Sequence, residues 1–186
     1  MPTVYGDVVG TMFKYGAAIA AAAFACASPA GAAQRNALSK VVVVSALSFL
    51  NVEELEFGSM LAGATAGTVV VDPVGGRTRT GGVTLVGGLV QPARFAGRGT
   101  FNQIVAVSIS AATYTLTRAG GGGTMTLETL VIGSTPSAVL GPTPQTFRIA
   151  SPTGIFNFPI GGTLRVAANQ APGDYAGTIV VTLNYQ

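Results

Sequence analysis

The stretch Gln170–Gln186, QAPGDYAGTIVVTLNYQ, carries the clearest pattern in the chain. Ile179, Val181, Leu183 and Tyr185 share one parity, with Val180, Thr182 and Asn184 between them, the period-two signature of a strand with one buried face. The preceding PGDY supplies turn chemistry. No charge, proline or other blunting device follows Tyr175, although monomeric proteins normally protect an apolar edge strand with one. This final strand is therefore expected to be covered by another, and the chain stops inside it.

Working back from this strand, alternation recurs while helical spacing does not. Leu55 and Phe57 alternate with Glu54 and Glu56, Val69 and Val71 with Thr68 and Asp72, and Val83 pairs with Leu85. Val105, Val107 and Ile109 have one parity, but Tyr114 and Leu116 have the other, so a bulge or break is expected near Ala111. Met125, Leu127 and Val131 follow, then Phe158, Ile160, Leu164 and Val166. Glycine or proline pairs at 75–76, 81–82, 87–88, 120–123, 141–144 and 161–162 read as turns at sandwich spacing. The fold class is all-β, an antiparallel sandwich. A membrane barrel needs long strands and aromatic girdles, and this chain has no Trp.

Residues 1–33 read as a signal peptide. Lys14 is the basic element, Ala17–Ala27 the apolar run, and Ala32 or Ala33 the small residue at the cleavage point. Asp7 is out of place in such a leader, which makes Met12 an alternative start. Cys26, the only cysteine, falls inside the leader. Residues 34–186 are expected to form one domain, of ordinary size for a single core, without a disulfide.

Composition excludes more chemistry than it suggests. Charged residues are 9% of the chain and histidine is absent, against about 25% charged in typical soluble domains. The net charge of +3 comes from scattered arginines, which argues against nucleic acid as a partner. Without His or a retained Cys, the usual general base, thiol nucleophile and transition-metal ligands are missing. Glu54 and Glu56 on one strand face read as solvated, and Gly120–Gly123 lacks the GK[ST] of a phosphate loop. No catalytic, metal or cofactor site is expected.

The C-terminal pattern resembles the chaperone-usher pilins. Gly173 is fourteenth from the end, Ile179, Val181 and Leu183 alternate, and Tyr185 is penultimate. The resemblance implies an incomplete immunoglobulin-like sandwich whose missing strand comes first from a periplasmic chaperone, at an outer-membrane usher, and then from the next subunit. Tyr175 would be its structural turn residue. LEFG at Leu55–Gly58, TVVVDPVGGRTRTGGV at Thr68–Val83, PARF at Pro92–Phe95, GGTLRVAANQ at Gly161–Gln170 and the C-terminus also resemble a secreted bacterial family known as domain of unknown function 4402. That likeness implies a fimbrial subunit, exported through the periplasm to the cell surface, with identical or related subunits as partners and no membrane span of its own.

A donor strand must be extended and add by backbone hydrogen bonds to a sheet edge. Residues 34–46 contain a candidate: Ala37, Val41 and Val43 would face the groove, with the register left open because Val41–Val44 are all apolar. The alternative is a self-complete secreted sandwich that binds a surface polysaccharide or protein. A solvent-facing aromatic cluster among Phe95, Phe101, Phe147, Phe156 and Phe158 would favour it.

Overall fold

The computed structural model describes residues 41–186. The leader, its cleavage point at Ala32 and Ala33, Cys26 and the donor candidate Ala37 lie outside the described residues. In chain order the strands are β1 (Ser48–Glu53), β2 (Glu56–Ala62), β3 (Gly67–Val71), β4 (Arg77–Arg79), β5 (Val83–Gln91), β6 (Ala93–Arg98) and β7 (Ile104–Ile109). The remainder are β8 (Thr113–Arg118), β9 (Thr124–Ile132), β10 (Ala138–Val139), β11 (Gln145–Arg148), β12 (Ile155–Val166), β13 (Tyr175–Ala176) and β14 (Val181–Tyr185).

The large sheet has the order β1-β6-β12-β9-β8-β13, with β3 and β4 continuing beside the second half of β12 and β10 beside β9. A second sheet runs β11-β7-β14, and β2 pairs with β5. Every pairing is antiparallel. Val105, Val107 and Ile109 of β7 and Leu183 of β14 share one apolar cluster with Leu127, Leu130 and Ile132 of β9 and Ile160, Leu164 and Val166 of β12. The two sheets thus close over a single core, the sandwich expected from the alternation. Burying each such side chain contributes about 1.5–3 kcal/mol, and among the described residues no polar or charged side chain is buried with them.

The expected break near Ala111 separates β7 from β8. Three readings need correction. Gly87–Gly88 and Gly161–Gly162 are not turns but lie inside β5 and β12. At Gly161 a Cβ would collide with the Val71 carbonyl oxygen, so glycine there lets β3 approach β12, beside a register shift in the pairing of β12 with β9. Val131 is not the inward residue of β9. Thr129, at a φ of 50°, shifts the parity, and Leu130 and Ile132 are buried in its place. The C-terminal strand is two strands, because the chain leaves the large sheet after Ala176 and joins β7 from Val181. Gly177 allows the departure by packing against Thr115 and Leu116 too closely for a side chain. Sequence alternation does not mark β1, whose burial barely alternates; it is held at the sheet edge by β6 and by an ion pair between Arg94 and Glu53 at 2.7 Å.

The turn before β13 is tied internally. The Tyr175 hydroxyl donates to the Ala171 carbonyl at 2.7 Å and accepts from Gln170 Nε2 at 2.8 Å. Gln170 Nε2 also donates to the Thr124 carbonyl at 3.1 Å, joining the turn to β9. Tyr175→Phe removes one donor and one acceptor from this partly buried set, at a cost of about 1–2 kcal/mol. The expected drop in melting midpoint is about 2–8 °C, measurable by circular dichroism.

Candidate strand-pairing edge

β14 has β7 on one side and no strand on the other among the described residues. Its hydrogen bonds fix which backbone groups remain free. The Val180 carbonyl accepts from Ser110 N at 3.1 Å, and Gln186 N donates to the Ile104 carbonyl at 3.0 Å. Even-numbered residues therefore face β7. Successive residues of a strand direct their N–H and C=O groups to opposite sides, so those of Val181, Leu183 and Tyr185 point to the open edge. Their side chains meanwhile turn towards the core, with Leu183 buried and Val181 and Tyr185 half-buried.

Two phenols hold the ends of β14. At its start, the Tyr114 hydroxyl of β8 donates to the Val180 carbonyl at 3.3 Å. At its finish, the Tyr185 hydroxyl accepts from Thr100 N and donates to the Ser45 carbonyl, both at 2.8 Å. Ser45 N in turn donates to Thr100 Oγ1 at 2.6 Å. Because β8 lies near one side of the large sheet and Thr100 follows β6 near the other, β14 crosses between them. Tyr185→Phe would leave the Thr100 N–H without its acceptor and the Ser45 carbonyl without its donor, a loss of about 1–3 kcal/mol readable in urea unfolding. Faster amide exchange near Ser45 is expected in the same variant.

The candidate donor residues are placed differently from the edge. Val41 and Val43 are 83% and 87% exposed, in a segment without strand structure. Val42 and Val44 are also exposed. Ile179 is half-buried just before β14. Gly173 lies away from this edge, in the turn before β13, where its φ is 145° and a side chain would meet Arg118. Arg118 Nε donates to the Pro172 carbonyl at 2.6 Å. This turn forms one wall of an open groove of about 710 Å³, with β2 as the other wall and Leu116, Met125, Leu164 and Val166 as its floor.

The aromatic residues do not make a solvent-facing cluster. Phe95 and Phe156 stack on Phe158 and Phe49 lies tilted against Phe95, with ring centroids 5.4–6.3 Å apart, and Phe95 and Phe158 belong to the core. Phe101 is half-exposed and Phe147 packs against the core. Glu54 and Glu56 are exposed. Among the described residues, no group of acids, His or Cys is arranged to hold a metal ion, and no helix is long and apolar enough to cross a membrane.

A family model described as domain of unknown function (DUF4402) matches residues 47–185, an interval that contains all of β1–β14. The chain belongs to the DUF4402 family. The matched interval begins after Val41–Val44 and ends at Tyr185, so the DUF4402 domain includes the open edge while the valine segment precedes it. No curated protein and no solved structure matches the chain. Sequence reasoning missed Ser45, Thr100 and Tyr114 as anchors of β14, because hydrogen bonds spanning 140 and 85 residues leave no local pattern.

Proposed function

We propose that this DUF4402 protein is a structural subunit of a bacterial surface fimbria, assembled by strand donation between subunits after export. The observation that carries the reading is the coexistence of an open β14 edge with four exposed consecutive valines just ahead of the domain. Each is costly alone. An unpaired apolar edge invites association, and exposed valines gain about 1.5–3 kcal/mol each on full burial. Pairing Val41–Val44 of one subunit with β14 of another relieves both at once, by the main-chain hydrogen bonding of β-augmentation. A periplasmic chaperone that lends a strand to β14 would protect the edge before assembly, and an outer-membrane usher would be the place of exchange.

The test is the electrophoretic behaviour of the exported protein without boiling. Subunits joined by strand donation are expected to migrate as an SDS-resistant ladder that boiling collapses. Deleting residues 34–44 while keeping Ser45 should remove the ladder and leave a folded domain. A protein that remains monomeric at every concentration, with and without this segment, would overturn the proposal.

A further inference from the structure

The half of the large sheet made by β8, β9, β12, β3 and β4 has an outer face rich in threonine. The pairing register sets Thr113, Glu128, Thr163, Val70 and Thr78 side by side in one row. The next row holds Thr115, Thr126, Arg165 and Thr68, extended to Thr80 by a hydroxyl–hydroxyl hydrogen bond of 2.7 Å. Thr117 and Thr124 face each other in a third. These residues alternate with Tyr114, Leu116, Leu127, Leu164 and Val69, which pack inward, so the threonines share the opposite face. Neighbouring strands are about 4.8 Å apart and alternate residues about 6.8 Å apart along a strand. The result is a grid of threonine hydroxyls interrupted by Glu128, Val70 and Arg165.

Strand propensity does not account for the grid. Threonine favours strands throughout a sheet, yet the outer face of β1, β6 and the first half of β12 carries Leu50, Ala96, Arg94, Arg98 and Ile155. The two halves of one sheet are surfaced differently. On the threonine half the charges are Glu128 and Arg165, paired at 2.7 Å. The Glu128 carboxylate accepts the Arg165 Nε–H and attracts its charge, raising the pKa of the guanidinium above its ordinary value. The face therefore presents no uncompensated charge to attract a polyanion. None of its side chains is among the exposed large hydrophobics, so it also lacks the apolar or aromatic anchors of a protein interface.

We propose that this threonine face binds an uncharged, extended polysaccharide laid flat across β8, β9, β12, β3 and β4. A threonine hydroxyl both donates and accepts, as sugar hydroxyls do, and a flat grid offers many such contacts to a repeating chain. Recognition proceeds through hydroxyls instead of aromatic stacking. The site is on a different surface from β14 and stands independently of strand donation.

The experiment measures retention of the full exported chain on microcrystalline cellulose and on chitin, with Thr115→Val/Thr126→Val compared against Thr84→Val on β5. Retention on at least one neutral polymer is expected. Each lost hydrogen bond weakens binding about fivefold, so the double variant should bind about twentyfold more weakly, and Thr84→Val should bind as the parent does. Thermal unfolding verifies that each variant is folded, and Thr115→Lys, which projects a long charged chain from the grid, should abolish retention if the double variant is unstable. Absence of retention on both polymers, equal binding by the folded Thr115 and Thr126 variants, or an equal loss in Thr84→Val would overturn the assignment.

Discussion

The double substitution Val41→Asp/Val43→Asp is expected to convert an SDS-resistant ladder into monomers without unfolding the domain. Both valines are more than four-fifths exposed in the single chain, so a carboxylate at either position stays hydrated there and costs almost nothing. In a donated strand the same carboxylates would enter the apolar layer beside Leu183, and each buried, unpaired charge costs several kcal/mol. Together they weaken pairing about a thousandfold or more. Equal melting midpoints for variant and parent monomers, measured beside unboiled electrophoresis, separate loss of assembly from loss of fold. A ladder that survives the double substitution would mean that another segment covers β14.

Leu130→Ala is the substitution expected to damage the fold most. Leu130 is fully buried and joins the core as β9 resumes after the backbone irregularity at Thr129. Truncation leaves a cavity in a close-packed layer, a loss of about 3–4 kcal/mol. The melting midpoint should fall by about 6–16 °C. The expected cost at Val131→Ala is smaller, because that side chain is only partly buried. If Val131→Ala proved the more damaging of the two, Val131 and not Leu130 would be the inward residue of β9.

The contrast between Leu130 and Val131 shows where the sequence is readable. Simple alternation places Val69, Val71, Val105, Val107, Ile109, Phe158, Ile160, Leu164 and Val166 in the core, because an unbroken strand has one side-chain period. The same rule fails where the backbone inserts an irregularity. Thr129 adopts a positive φ without being glycine, and no neighbouring residue type announces it. Gly161–Gly162 has the composition of a turn but occupies a point where β3 presses on β12, a constraint created by residues some ninety positions away. Gly177 likewise permits a change of sheet that local alternation cannot reveal.

The candidate edge was legible in part for the same reason. Val181, Leu183 and Tyr185 declare an apolar-faced strand, and the uncharged run after Tyr175 suggests a covered edge. Which side is open depends on the long-range pairing of β14 with β7. Gly173, counted from the C-terminus, belongs to a different turn. The threonine grid shows the same division, since TYTLTR and TMTLET display alternation plainly, whereas their alignment with Thr163, Thr68 and Thr78 is a property of the sheet register.

Strand donation requires β14 of one subunit to be paired by the valine segment of another. Val42→Cys and Asn184→Cys place thiols on residues that would share the outer face of such a pairing, since Val41 and Val43 turn inward with Leu183. The direct measurement is oxidative cross-linking of a mixture of two differently tagged exported chains, one carrying each cysteine. The expected result is a disulfide-linked heterodimer that appears only when both cysteines are present and disappears on reduction. A bond that forms only when both cysteines are in the same chain, with no heterodimer in the mixture, would contradict it.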